Sequence, residues 1–308
     1  MKNKLLIGTR QSQLAVWQAT EVKRLLSLKG FTSELVYISS QGDIDLKTPL
    51  YEMGVQGVFT RTLDAALLNG KIDIAVHSMK DVPTALPIGL MQAAVLERAS
   101  HKDLLVFKKN SDFHEQTNNL ASIATSSIRR KSQWLNRYPN HSILNIRGNV
   151  NTRLQKLYTM ECNAAIFAAA GLERIGIRPK NAIDLNWMLP APAQGAIMVV
   201  TETNNRFALE ACSQINHYDT AICTKIERDF LRSLLGGCST PISALAEINN
   251  NHIYFKGNVL TLDGKEKVEI ELNAHIDTIS NDFGTNAALN LLENGGKEIA
   301  DKIRNEGK

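Results

Sequence analysis

The sequence is poor in cysteine: four residues in 308, Cys162, Cys212, Cys223 and Cys238, with no CxxC spacing among them. That excludes a disulfide scaffold and a cysteine-built zinc site, so no metal is expected, and it fits a reducing cytoplasm. Long apolar runs are missing as well. The N-terminal one stops at Arg10, too soon for a signal peptide, and the alanine-rich stretch from Ala164 to Leu172 is too short to cross a membrane. Walker A, GxGxxG and HExxH patterns are absent, which removes the commonest nucleotide and zinc-hydrolase signatures. The most informative lack is of acid. No Asp or Glu occurs from Gln116 to Met160, while Arg129, Arg130, Lys131, Arg137, Arg147, Arg153 and Lys156 all fall there. A solvated helix face mixes its signs, so a one-sign, arginine-rich region points to an anionic partner held by guanidinium forks.

What is present is ordinary for a globular protein: 44% hydrophobic and 21% charged residues, with a net charge of +4. The length exceeds one compact core, so two or three domains are expected. Lys4 to Thr9 reads as a buried strand, then a helix to Lys29 in which Ala15, Ala19, Val22 and Leu26 share a face. Ser12 is its N-cap and Gly30 its stop. A strand from Ser33 to Ile38, a glycine-bearing loop, a helix from Phe59 to Asn69 and a strand from Ile72 to Val76 follow. This alternation predicts a parallel α/β sheet.

That third strand runs into His77-Ser78-Met79-Lys80-Asp81-Val82-Pro83, where an open α/β sheet keeps its ligand crevice. Lys80 and Asp81 could equally be a minor surface ion pair, and His77 reads best as a hydrogen-bonded core residue. Leu90 to Leu96 is another strand, and Asp103 to Phe107 begins a second α/β unit. Its strands Ser122 to Ala124, Ile143 to Ile146 and Ala164 to Ala168 each lead into a polar or small-residue turn. At Thr9 to Ser12, Thr125 to Arg130 and Arg147 to Arg153, a strand gives way to a turn, a helix start and arginine. Helix N-termini offer unpaired N–H groups to anions, and the repetition suits a polyanion or several carboxylates. Pro190-Ala191-Pro192-Ala193-Gln194-Gly195-Ala196 is a stiff connector before a strand from Ile197 to Thr201. The last domain opens with a helix from Asp219 to Leu234. Strands near Ser243 to Glu247, His252 to Leu260 and Lys267 to Leu272, a helix from Asn286 to Glu293 and a charged tail complete it.

Directly after that long helix stands Gly236-Gly237-Cys238-Ser239-Thr240-Pro241. A thiol on a glycine turn is placed for chemistry or attachment, although free cysteine is more often a buried small hydrophobe. Three classes of function compete. A nucleic-acid binder needs a recognised module or stacking aromatics, and the basic segment has only Trp134, Tyr138 and Tyr158. A cytosolic two-lobed binding protein for polycarboxylate ligands leaves Cys238 and Asp81 without a task. A thiol hydrolase needs a histidine base that the sequence cannot bring to Cys238.

The motifs decide between them. Thr9-Arg10-Gln11-Ser12, His77-Ser78-Met79-Lys80-Asp81-Val82-Pro83, Ser127-Ile128-Arg129-Arg130, Arg147-Gly148-Asn149-Val150, Gln194-Gly195-Ala196 and Gly236-Gly237-Cys238 with Pro241-Ile242 resemble porphobilinogen deaminase, in family order and across nearly the whole chain. The resemblance implies an α/β fold of three domains. Two lobes would be like type II periplasmic binding proteins, 1–97 plus 196–214 and 103–190, with a smaller α+β domain over 218–308. It implies a transferase that joins four porphobilinogen units head to tail, with loss of ammonia, into hydroxymethylbilane. The implied partner is that small substrate alone, with no nucleic acid or membrane, and the implied state a monomer. The implied cofactor is a dipyrromethane held covalently by Cys238, with Lys80, Ser127, Arg129, Arg130 and Arg147 around it. Arg10, Ser12, Arg153, Arg174 and Gln194 would bind substrate, and Asp81 would be the catalytic carboxylate, acting mainly by electrostatic stabilisation.

Three positions depart from the family pattern. Gly54-Val55-Gln56-Gly57 stands where a Gly-Gly-Lys-Gly loop is usual. Ala193 replaces a usual glycine, and Ser100-His101-Lys102 lacks a linker proline. Phe59 keeps its place and would pack on a pyrrole ring or in the core.

Overall fold

The structure, a computed structural model, describes residues 4–39, 60–109, 113, 120–234 and 240–306. The chain runs through β1 (Leu5–Thr9), α1 (Gln13–Leu28), β2 (Ser33–Tyr37), α2 (Arg61–Leu68), β3 (Ile74–Ser78) and β4 (Leu90–Val95). It continues with β5 (Asp103–Phe107), β6 (Ser122–Ala124), α3 (Ile128–Arg137), β7 (Ser142–Leu144), α4 (Val150–Thr159), β8 (Ala164–Ala168), α5 (Ala169–Glu173) and β9 (Ala182–Asp184). Then come β10 (Ile197–Glu202), α6 (Arg206–Ser213), α7 (Tyr218–Leu234), β11 (Ile242–Asn249), β12 (His252–Leu260), β13 (Lys267–His275), α8 (Phe283–Leu291) and α9 (Lys297–Glu306).

Two five-stranded sheets share one plan. The first has the order β2-β1-β3-β10-β4 and the second β7-β6-β8-β5-β9. In each, the first three strands are parallel and the fourth is antiparallel to both neighbours, β10 to β3 and β4, β5 to β8 and β9. The odd strand of each lobe thus comes from chain that has just left the other lobe. Strands buried on both faces read as apolar runs, as in Leu104-Leu105-Val106-Phe107, and helices cover both sides. Inward-facing Ala15, Ala19, Val22 and Leu26 of α1 seal one face of the first sheet, and the Ser12 hydroxyl accepts from the Ala15 N–H.

The third sheet is an antiparallel β11-β12-β13 meander packed on α7, α8 and α9. Gly257 in β12 is required there, because a Cβ would lie 2.6 Å from the Phe230 ring of α7. The structure corrects several boundaries. β3 extends through Ser78 and β13 through His275, and α6 had no counterpart in the sequence reading. The expected charged tail is the helix α9, whose Ile299 and Ala300 are buried while Ile303 packs on the same core. That narrow apolar face was outweighed in the sequence by its surrounding charge.

The two connections between the lobes run side by side. Ala99 N–H donates to Gly195 O at 3.1 Å. Gly195 has φ +91°, and a Cβ there would meet the Ala99 carbonyl at 2.6 Å, so no other residue fits. Both connections are fastened to α7 by Glu227, which is fully buried. Its carboxylate accepts from Arg98 at 2.6 and 3.1 Å, from Ala193 N–H at 2.6 Å and from Ala246 N–H at 2.8 Å.

Candidate active site

At the carboxyl end of β3 the chain closes one 3₁₀ turn, Met79–Asp81, with Val82 N–H returning to Met79 O at 3.1 Å. Met79 is buried beneath it, so Lys80 and Asp81 are carried at the mouth of the crevice. Ahead of the turn, Ser78 accepts from Gln18 of α1 at 2.8 Å. Arg10, Gln18, Thr60, His77, Ser78 and Asp81 line a small polar cavity here. His77 is buried as expected but is not the hydrogen-bonded core residue the sequence favoured. Its Nε2 has no partner among the described residues. Burial, and secondarily the charge of Arg10, pushes its ring down to about 3, so it is neutral.

In the second lobe, Ser127 caps α3 by accepting from the Arg130 N–H at 3.4 Å. The first turn of α3 then delivers Arg129 and Arg130 onto one buried acid, Asp103. Arg129 Nη2 reaches Asp103 Oδ2 at 2.7 Å, and Arg130 Nη2 reaches Oδ1 at 2.7 Å. Burial would raise the Asp103 carboxyl, but the two guanidinium groups hold it well below the usual carboxylate range. Arg129 also donates to Leu189 O and Arg130 to Ile166 O. Arg129 and Arg130, expected around the cofactor, therefore spend several of their donors inside the protein, and the buried Nε of Arg129 has no partner.

Asn149 caps α4 through the Thr152 N–H at 2.9 Å, with Arg147 just ahead of the helix and Arg153 on it. Arg153 lies over the Phe167 ring at 5.6 Å, and its buried Nε has no partner. Burial and then the nearby Arg130 push its guanidinium down to about 10; Asp81 opposes this and Arg147 adds to it. Four of the predicted site residues thus converge from two lobes.

A chain of contacts joins those lobes. Lys80 Nζ donates to Gln194 Oε1 at 3.2 Å, and Gln194 Nε2 donates to Asp103 Oδ1 at 2.9 Å and His101 O at 2.8 Å. Gln194, expected to bind substrate, is buried with both ends of its amide engaged within the protein. It ties the Lys80 turn to the Asp103 cluster. Burial lowers the Lys80 ammonium to about 8, against the pull of Asp81. Nearby, Asn151 of α4 donates to Gln13 of α1 at 2.7 Å, setting the two helix starts face to face. Arg174 donates to Gly195 O at 2.6 Å and lies over Trp17, with burial pushing it down to about 10.

The structure therefore gathers Arg10, Lys80, Asp81, Arg129, Arg130, Arg147 and Arg153, while Ser12 and Ser127 serve as helix caps. Cys238, Phe59 and the Gly54 to Gly57 loop lie outside the described residues. α7 is described as far as Leu234, four positions before that cysteine in the sequence. Sequence reasoning missed Asp103, Arg98, Glu227 and Arg228. One signal could have found Asp103: an acid-free basic segment that folds inward needs a counter-charge from elsewhere. Among the described residues no group of His, Cys, Asp and Glu could hold a metal ion. Cations crowding one or two carboxylates suit a polycarboxylate ligand and leave Asp81 to face any positive charge that develops.

Residues 5–210 match the family model described as porphobilinogen deaminase, dipyromethane cofactor binding domain, and residues 221–293 match that of the porphobilinogen deaminase C-terminal domain. The chain is 39% identical to the porphobilinogen deaminase of Chlorobium phaeobacteroides (strain BS1), covering 99% of each. It is 38% identical to that of Syntrophomonas wolfei subsp. wolfei, covering 99% of this chain and 100% of the other. Among solved structures, the VFT2 domain of Bordetella pertussis BvgS aligns with a TM-score of 0.41 at 12% identity, over 69% of this chain and 86% of that one.

Proposed function

The chain belongs to the porphobilinogen deaminase family, and from that premise we propose which of its residues carry the reaction. The enzyme is a transferase that joins four porphobilinogen units head to tail, with loss of ammonia, into hydroxymethylbilane on a dipyrromethane cofactor. The residues present fit that cofactor. Its rings bear acetate and propionate groups, and the cleft holds a half-buried Arg153 whose buried Nε has no partner and whose charge is opposed by Arg130 and Arg147. The buried, partnerless Nε of Arg153, on a guanidinium that feels both Asp81 and the neighbouring arginines, is the observation that carries the reading. A buried guanidinium N–H without an acceptor is costly, and a ligand carboxylate removes the cost.

We assign Cys238 as the thioether anchor and Lys80, Ser127, Arg129, Arg130 and Arg147 as the cofactor's surroundings. Arg10, Ser12, Arg153 and Arg174 hold substrate carboxylates, and Gln194 acts from behind by holding Lys80. When bound, the dipyrromethane supplies the free pyrrole α-carbon to which the first porphobilinogen is joined. Asp81 does the work on the incoming unit. As ammonia departs, positive charge grows on the substrate, and the Asp81 carboxylate stabilises it and accepts the pyrrole N–H. The same carboxylate takes up the proton released as the new bond forms, and in its protonated form can pass one to the leaving amine.

No helix among the described residues is long and apolar enough to cross a membrane. We place the enzyme in the cytoplasm, as a monomer like the family it belongs to; Cys162, Cys212 and Cys223 are free thiols, which suits that compartment. The rival reading, a two-lobed polycarboxylate-binding protein, rests on likeness of fold and leaves Asp81 idle. The test is intact mass with activity. Wild-type protein from a porphobilinogen-making host should weigh more than its polypeptide by a two-ring adduct that Cys238→Ser lacks. Asp81→Asn should keep that adduct and lose most turnover. A bare polypeptide mass for the wild type would refute the anchor, and near-normal turnover in Asp81→Asn would remove Asp81 from the mechanism.

A further inference from the structure

Arg228 of α7 leaves its own domain and donates to three backbone carbonyls of the first lobe. Nη1 reaches Met79 O at 3.3 Å and Val82 O at 2.9 Å, and Nη2 reaches Pro83 O at 2.6 Å. Those carbonyls bracket Lys80 and Asp81. The side chain is buried, so the three bonds are made away from competing water. A single 3₁₀ turn cannot satisfy its own terminal carbonyls, and a planar guanidinium can bind several at once where an ammonium cannot. We propose that Arg228 is a positioning residue for Asp81, holding the Met79–Asp81 turn at the height the reaction needs. This rests on the reading of Asp81 as the catalytic carboxylate.

The brace also joins two parts of the site that the sequence keeps apart. The helix that carries Arg228 is described as far as Leu234, and Cys238 follows four positions later in the sequence. The element proposed to set the height of Asp81 is therefore also close in sequence to the residue assigned as the anchor of the growing chain. A displacement of about 1 Å at a reacting group costs about a hundredfold in rate. Loss of the brace should thus appear in kcat rather than in binding, because the arginines that hold carboxylates sit on other elements.

Arg228→Met, Arg228→Lys, Asp81→Asn and the Arg228→Met/Asp81→Asn double variant are prepared as holoenzymes and weighed intact. Turnover is expressed per adduct-bearing molecule, and the first porphobilinogen addition is followed by mass. Arg228→Met should carry the wild-type adduct with kcat lowered roughly ten- to hundredfold and KM within about twofold. Arg228→Lys should fall between it and wild type. In the Asp81→Asn background, the further loss from Arg228→Met should stay under about threefold, since the group it positions is gone. Wild-type kcat in loaded Arg228→Met beside a crippled Asp81→Asn overturns the brace alone, as does a full multiplicative loss in the double variant. Near-normal turnover of Asp81→Asn overturns the Asp81 reading and the brace with it. Should Arg228→Met yield no loaded protein, Arg228→Lys carries the comparison: lowered kcat with unchanged KM and adduct mass supports the brace, and wild-type kcat refutes it.

Discussion

His77 shows what a single buried side chain does to the molecule's response to acid. Its ring is held at about 3 in the folded protein, first by burial and then by Arg10. In the unfolded chain it titrates near its ordinary value of about 6.5. Between those limits the unfolded state binds the extra proton, so stability rises with pH there. The contribution is complete above about pH 6.5 and is lost as the pH falls toward 3. His77→Gln should flatten that part of the stability–pH curve in urea titrations; an unaltered slope would show that another group titrates. Ala193 is a second case. It has φ +62° and is buried, with its N–H on Glu227. That conformation costs an alanine on the order of 1 kcal/mol and a glycine almost nothing. Ala193→Gly should therefore raise the urea midpoint by the equivalent of about 0.5–1 kcal/mol, with a lower midpoint arguing against strain. The sequence marked this position as a departure from the family pattern, but the strain depends on a backbone angle that composition does not report. His77 was misjudged for a related reason: the residue type predicts burial, whereas a missing partner depends on elements far away in the chain.

At the scale of elements, the signals that could be read were local ones. The 4-3-4 spacing of Ala15, Ala19, Val22 and Leu26 and the Ser12 cap define α1 in sequence and structure alike. The helix starts at Ser127 and Asn149 were legible through their caps, and with them the positions of Arg129, Arg130 and Arg153. What the arginines touch was not legible, because Asp103 opens β5 some 26 residues before α3 delivers Arg129 to it. This acid holds the start of α3 against the second sheet. Asp103→Asn leaves two buried guanidinium groups short of a counter-charge. It should destabilise the holoenzyme by roughly 3–5 kcal/mol, seen as a lower urea midpoint. A change below about 1 kcal/mol would mean that the arginines are neutralised by other means.

For the molecule as a whole, Glu227 is the point where three parts are tied. Arg98 belongs to one connection between the lobes, Ala193 to the other and Ala246 to the third sheet, and all bond to the same carboxylate. Glu227→Gln keeps the shape but removes the charge opposite buried Arg98. The expected loss is about 3–5 kcal/mol, and it should divide the calorimetric unfolding of the holoenzyme into more than one transition. A single transition at the wild-type temperature would count against the tie. None of this was visible along the sequence, where Arg98 and Glu227 are 129 positions apart. The interleaving of the two α/β sheets has a consequence for the growing polypeptide. Among the described residues β4 has no neighbour in its sheet except β10. A ribosome that has emitted a hundred residues has produced an edge with nothing to zip against. Nearly two hundred must emerge before that seam can close, so the nascent N-terminal portion needs shielding throughout the manufacture of its sibling.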